Sequence, residues 1–154
     1  MIFTLTDFFL EFKTPFAIAH GTRDGTDIVL LKIEEEGFIG YGEASLPPYL
    51  PETQATVREF INSFFVSGKV DLTSLENTIL NLQQHQTNNY AAKACVDIAL
   101  HNWFANKKGI PIYKLLGLNN YPLPLCTFTI GMDDEIGLKE KVIQSADFKI
   151  LKVK

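Results

Sequence analysis

The sequence predicts an α+β domain, a three-stranded antiparallel meander followed by helices, with a strand–helix–strand unit of a second domain behind it. Three observations carry this expectation. Residues 2–13, 27–35 and 38–44 are rich in Phe, Ile, Leu, Val and Thr without a helical period, as strands are. From residue 52 to about residue 116 apolar residues recur at helical intervals. After Pro122 and Pro124 the pattern returns to strand, helix and strand.

Glu36-Gly37 supplies a tight turn between the second and third strands, and Gly40 and Gly42 leave room for a close backbone approach or a bulge. Residues 15–26, with His20, Gly21, Arg23 and Gly25, read as a long glycine-punctuated loop between the first two strands. Residues 45–51, with three prolines and Tyr49, read as a second exposed loop. A helix over residues 52–65 gathers Val57, Phe60, Ile61 and Phe64 on one stripe. The next, over residues 73–85, gathers Leu75, Ile79, Leu80 and Leu82, with Thr73-Ser74-Leu75-Glu76 fitting a capping box.

The stretch 91–117 is the centre of the expected packing. Ala92, Cys95, Val96, Ala99 and Trp103 share one helix face, and the small Ala91, Ala94 and Ala99 permit a close neighbour. Lys107-Lys108-Gly109 ends the helix with cations and a left-handed cap, Pro111 opens a short helix over 112–116, and Gly117 stops it. Asp97, a carboxylate in this apolar helix, finds an i,i+4 partner in Lys93 and reads as structural. Beyond residue 121, residues 125–130 read as a strand, Asp133 as the cap of a helix to about residue 146, and residues 148–154 as another strand. The division is therefore 1–121 and 122–154. A strand–helix–strand unit makes two parallel strands by a right-handed crossover, which need further strands beside them.

Composition excludes several function classes. With 154 residues, 46% hydrophobic and 21% charged, the chain is globular, and a formal charge of −4 offers no basic field for nucleic acid. The first twelve residues carry Asp7 and Glu11 and no cationic leader, which argues against a signal peptide or membrane span and for a cytoplasmic protein. Cys95 and Cys126 read as free core thiols, and His20, His85 and His101 lack metal-ligand spacing, so no metal site is expected within the chain.

In residues 148–154, the two-residue period sends Phe148, Ile150, Lys152 and Lys154 to one face. Two solvated lysines at a strand end are the ordinary reading. In a closed pocket, desolvation and mutual repulsion would instead favour loss of a proton and make one of them a base.

The spacing of Ala91, Ala94, Val96, Asp97, Ala99 and Leu100, then Pro111, Ile112, Leu115, Leu116 and Gly117, resembles the signature of the enolase superfamily and its muconate-lactonizing branch. It departs at Asn102, where an acidic residue is usual, and at Asn106, where a basic one is. The resemblance implies an α+β capping domain plus the first β-α-β unit of an incomplete (β/α) barrel, with Lys152-Val153-Lys154 as the Lys-x-Lys motif ending the second barrel strand. Lys154 would then be the acid/base catalyst on the substrate α-proton, with Lys152 tuning its charge and helping to bind a carboxylate. Thr127 would line the pocket, and His20, Arg23 and Tyr49 would select the substrate. The patterns at residues 16–21 and 127–130 most resemble the dipeptide epimerases, isomerases that act through an enolate held on Mg2+. The family's metal carboxylates and opposing lysine lie beyond Lys154, so the isolated chain is expected to be inactive.

By the same resemblance the partner is a small dipeptide, and a homo-oligomer of the full-length enzyme is left open. Two alternatives stand beside this reading. One keeps the fold and changes the reaction to that of a muconate cycloisomerase or o-succinylbenzoate synthase. The other is a non-catalytic α+β binding module.

Overall fold

The structure, a computed structural model, describes residues 1–19, 21–119 and 122–154. It divides into two compact units, Met1–Leu10 with Thr26–Asn119 and Glu11–Gly25 with Asn120–Lys154.

Three strands, β1 (Ile2–Ile18), β2 (Gly21–Glu35) and β3 (Phe38–Leu46), form one antiparallel sheet in the order β1-β2-β3. The turn between β2 and β3 is Glu36-Gly37, with φ of 52° and 78°. Two consecutive left-handed residues give the turn twist that two-residue hairpins favour. The strands β1 and β2 are longer than their composition suggests. Most of the expected loop over residues 15–26 is strand, including Pro15 and Gly25. Because β1 is an edge strand, Pro15 can stand in it with its missing N–H directed away from the ladder.

In the first unit the helices α1 (Gln54–Val66), α2 (Leu75–His85), α3 (Tyr90–Lys108) and α4 (Ile112–Leu115) follow the sheet. Register places Leu31 opposite Gly42 and Ile33 opposite Gly40. The buried side chains of β2 thus form a ridge beside a glycine trough in β3, and α3 lies in that trough. A Cβ at Gly42 would overlap the Cys95 carbonyl oxygen and stand 2.9 Å from the Ala99 nitrogen, and one at Gly40 would stand 2.8 Å from the Trp103 Cβ. Val29, Leu31 and Ile33, the α1 stripe Val57, Phe60, Ile61 and Phe64, Leu82, and the α3 face Ala92, Cys95, Val96, Ala99, Leu100 and Trp103 complete the core.

Polar groups finish what packing begins. The outer edge of β3 is covered by two asparagines of α3: Asn102 Oδ1 accepts the Tyr41 N–H at 2.9 Å and Asn106 Nδ2 donates to the Ile39 carbonyl at 2.8 Å. These are the two positions that depart from the resembled signature. Each asparagine keeps the polarity of the residue it replaces, an acceptor for the acid and a donor for the base. At the start of α3, Asn89 is left-handed and makes no side-chain cap, and the Glu52 carboxylate instead accepts the Ala91 and Ala92 N–H groups. A carboxylate suits the positive end of a helix.

Several local expectations are corrected. Lys93 does not pair with Asp97. Its buried ammonium donates to the Gln83 and Gln86 carbonyls at 3.0 and 2.7 Å, where the end of α2 leaves acceptors unsatisfied, and Asp97 pairs with His101 Nδ1 at 2.8 Å. The cap of α2 is Ser74, which accepts the Asn77 N–H, because Thr73 is held by the Asp71 carboxylate. Leu80 points to solvent and Thr78 is buried in its place, its hydroxyl bonded to the Asp71 backbone. Ala94 is exposed. Cys126 is exposed too, outside the strand expected to bury it, whereas burial pushes the Cys95 thiol up to about 12.

In the second unit β4 (Thr127–Ile130) and β5 (Ile150–Val153) form a parallel pair connected through α5 (Glu135–Gln144). Asp134, not Asp133, caps α5, accepting the Gly137 N–H at 2.8 Å; Asp133 instead pairs with Lys141 at 2.7 Å, and this lysine holds its carboxyl below the usual range. Phe148 lies before β5, so it does not follow the strand's alternation, and its ring meets Phe128 at 4.9 Å.

Two predictions follow from this packing. Gly42→Ala must push α3 off β3, and urea unfolding read through Trp103, the one tryptophan, should lose on the order of 3 kcal/mol. A loss below about 0.5 kcal/mol would show that the trough has slack. His85 sits between the Phe60 and Phe64 rings with Nε2 at 2.8 Å from Ser63 Oγ and a buried Nδ1 without a partner among the described residues. Desolvation, then Lys69 and Lys93, hold its pKa below 6.5. The unfolded chain therefore takes up this proton first: the stability from a neutral His85 is complete above the unfolded value and is lost as pH falls through the lowered folded one. Urea midpoints from pH 7.5 to 5 should fall more steeply for the native chain than for His85→Gln.

Candidate functional site

Three of the residues singled out in the sequence lie on the parallel pair: Thr127 opens β4, Lys152 is near the carboxyl end of β5, and Lys154 directly follows that strand. In the parallel register Thr127 stands opposite Ile150 and Thr129 opposite Lys152. Alternation along each strand then gives Thr127, Thr129, Ile150 and Lys152 one face, with Lys154 next in the same series. The opposite face carries Phe128 and the buried Ile130. The ladder continues past β5, since the Lys154 N–H donates to the Ile130 carbonyl at 3.0 Å. Lys152 and Lys154 are exposed and lie two positions apart, with Val153 alone between them.

Arg23 lies on β2 within the same unit. Its guanidinium donates to the Gly25 carbonyl at 3.3 Å and sits 5.5 Å from the centre of the Phe12 ring, a cation–π contact that holds the side chain along the hairpin. Tyr49 belongs to the other unit, in the turn closed by the Leu50 N–H on the Pro47 carbonyl at 2.9 Å, with its side chain 79% exposed. His20 lies outside the described residues.

A cavity of about 400 Å³ opens in the second unit, lined by Thr14, Thr22, Asp133, Glu140 and Lys141 among others. None of the described candidate residues lines it, and two of its charged side chains, Asp133 and Lys141, are paired with each other. Among the described residues, no group of three or more His, Cys, Asp or Glu side chains could hold a metal ion. The described side chains therefore offer no such cluster for a magnesium ion. No described helix is long and apolar enough to cross a membrane.

Residues 4–117 match the mandelate racemase / muconate lactonizing enzyme N-terminal domain. The chain belongs to this family. As the capping domain of the enolase superfamily it accounts for the sheet and the four helices behind it. Among curated relatives, the L-Ala-D/L-Glu epimerase of Bacteroides thetaiotaomicron is 39% identical over 155 residues, covering all of this chain and 40% of that protein. The hydrophobic dipeptide epimerase of Enterococcus faecalis is 30% identical, covering 94% of this chain and 42% of that protein. In solved structures, the Enterococcus faecalis dipeptide epimerase complexed with Mg and L-Leu-L-Tyr aligns with a TM-score of 0.86 at 28% identity, over 99% of this chain and 44% of that one. The muconate lactonizing enzyme of Pseudomonas fluorescens, with a TM-score of 0.87 at 21% identity, shares the fold over 99% of this chain and 44% of its own. The chain thus spans about two fifths of the length of the curated relatives it matches.

The sequence expected the lysine strand to run parallel to the strand over residues 125–130; the structure supplies the register, with Lys152 opposite Thr129. It missed the residues just after β4. Gly131 and Met132 touch the tip of the β1–β2 hairpin, and the only signal available was an unexplained glycine between a strand and a helix.

Lysine accessibility checks this arrangement. Reductive methylation read by mass spectrometry should label Lys152 and Lys154 rapidly. Lys93, buried and donating to two carbonyls, should lag by at least roughly tenfold because it reacts only when the end of α2 opens. Equal rates at the three would contradict the description of the α2–α3 junction.

Proposed function

We propose that this chain is the amino-terminal part of a dipeptide epimerase, an isomerase that removes the α-proton of one residue of a dipeptide and returns a proton from the other face. Lys154 acts on the α-proton. In its neutral form it takes the proton from one epimer while an opposing acid outside this chain protonates the other face, and as an ammonium it protonates the carbanion formed from the other epimer. Lys152, two residues before it on the same strand face, stabilises negative charge that develops on the adjoining carbonyl and binds a carboxylate. Thr127 lines the same pocket, and Arg23, Tyr49 and His20 select the substrate. Residues 122–154 begin the barrel, 1–121 cap it, and the longer protein is cytoplasmic. Magnesium, which the Enterococcus structure contains, would be held by residues outside this chain.

The observation that carries the proposal is the Lys-x-Lys pair at the carboxyl end of β5, beside the carboxyl end of a parallel partner, in a chain of this family. Catalytic groups of parallel β/α barrels come from that end of the strands. Epimerisation is preferred to cycloisomerisation or o-succinylbenzoate synthesis because three curated relatives at 30–39% identity are L-Ala-D/L-Glu or hydrophobic dipeptide epimerases. The muconate lactonizing enzyme, at 21%, speaks for the fold alone. A non-catalytic module would leave a paired lysine motif at a strand end without a task.

The test is solvent deuterium incorporation into each epimer of L-Ala-L-Glu and a hydrophobic dipeptide by the full-length protein. Lys154→Ala should lower exchange by on the order of 10²–10⁴ with the fold intact, and Lys152→Ala should slow turnover without removing exchange at both faces. Near wild-type exchange from both epimers by Lys154→Ala would sink the assignment.

A further inference from the structure

The two residues after β4 join that strand to the tip of the hairpin. At the end of β4 the Ile130 carbonyl accepts the Lys154 N–H at 3.0 Å, and two residues later the Met132 N–H donates to the Ala17 carbonyl at 2.9 Å. Between these bonds Gly131 lies against the hairpin. A Cβ there would stand 2.9 Å from the Ala17 carbonyl oxygen and 3.3 Å from two carbons of the Phe16 ring. Gly131 is not among the residues of positive φ. Its backbone conformation is open to any residue, so the requirement for glycine is one of space alone.

We propose that Gly131 is a positioning residue, which seats the β1–β2 hairpin on the carboxyl end of β4 and so fixes Arg23 relative to Lys154. Residues 130–132 bond to the backbone of Lys154 on one side and of Ala17 on the other. Arg23 is carried on the same hairpin and steadied by Phe12 and Gly25. An added methyl at residue 131 must displace the Ala17 carbonyl by a few tenths of an ångström or more, since 2.9 Å is too short for a carbon–oxygen contact. The hairpin then moves away from the strand end while Lys154, bonded to Ile130, stays. The consequence falls on binding of the part of the substrate that Arg23 holds, not on proton transfer. The inference rests on the epimerase reading for what Arg23 and Lys154 do; the seating of the hairpin stands on its own geometry.

Two measurements separate these. In amide exchange on this chain, Gly131→Val should speed exchange at Met132 by at least about tenfold while the amides of β3 and α3 keep their protection. Unchanged exchange at Met132 overturns the seating. In the full-length enzyme, Gly131→Ala should raise KM roughly tenfold with a smaller change in kcat. Arg23→Met should also raise KM, and the double variant should raise it no further than Arg23→Met alone, the non-additivity of residues acting through one another. Additive effects on KM would overturn action through Arg23. Should Arg23→Met leave KM unchanged in an active enzyme, the assignment of Arg23 to the substrate has failed, and exchange at Met132 alone decides the seating.

Discussion

The close approach of α3 to β3 is the constraint on which the first unit depends. Helices ordinarily pack on sheets through side chains on both elements. Here Gly40 and Gly42 remove those of the strand, and the backbone of α3 at Cys95 and Ala99 comes against the backbone of β3. Three other features follow from that geometry. Leu31, Ile33, Phe60, Ile61 and Phe64, large residues of the core, sit on β2 and α1, beside the trough and not in it. Trp103 reaches the end of β2, where its indole N–H donates to the Glu35 carbonyl at 3.2 Å and its ring lies under the Lys107 ammonium. Asn102 and Asn106, one turn apart, come near enough to satisfy the open edge of β3, a strand that would otherwise offer unpaired backbone groups to another chain.

The second unit is built on a different principle. Its two strands are parallel and short, every residue of β5 is exposed, and α5 buries none of its side chains. Parallel strands are ordinarily covered on both faces. What cohesion the unit has comes from the Phe128–Phe148 contact, the buried Ile130, the capping of α5 by Asp134 and the hairpin tip seated at Gly131 and Met132. The candidate chemistry lies on this sparser unit. A strand end whose side chains are not spent on core packing leaves Lys152 and Lys154 exposed, whereas Lys93, in the dense unit, has its ammonium committed to two carbonyls.

Much of this was legible in the amino-acid sequence, for reasons that lie in single residues. The α3 face, the α1 stripe, the Glu36-Gly37 turn and the left-handed Gly109 are properties of period and backbone conformation that neighbouring residues decide. So is the two-residue spacing that puts Lys152 and Lys154 on one side of a strand. The family is legible because the small and apolar residues of α3 and the turn after it fall at set distances along the chain. Partner choice was not legible. Lys93 had an acidic residue one turn away and bonded to carbonyls of another helix; Asp97 took His101; Cys126, apolar by type, stayed outside.

The sequence by itself determined the order and kind of the elements, the turn types, the buried helix faces and the family, because each depends on local backbone preference or on the alternation of side chains. Only the tertiary structure decided that residues 15–18 and 21–26 continue as strand, which needs a paired neighbour to satisfy the backbone. It alone decided that Gly40 and Gly42 serve α3 and that Gly131 serves the hairpin. A glycine records only that a side chain is missing. What occupies the space is set by a segment tens of residues away, and that pairing is a property of the folded chain.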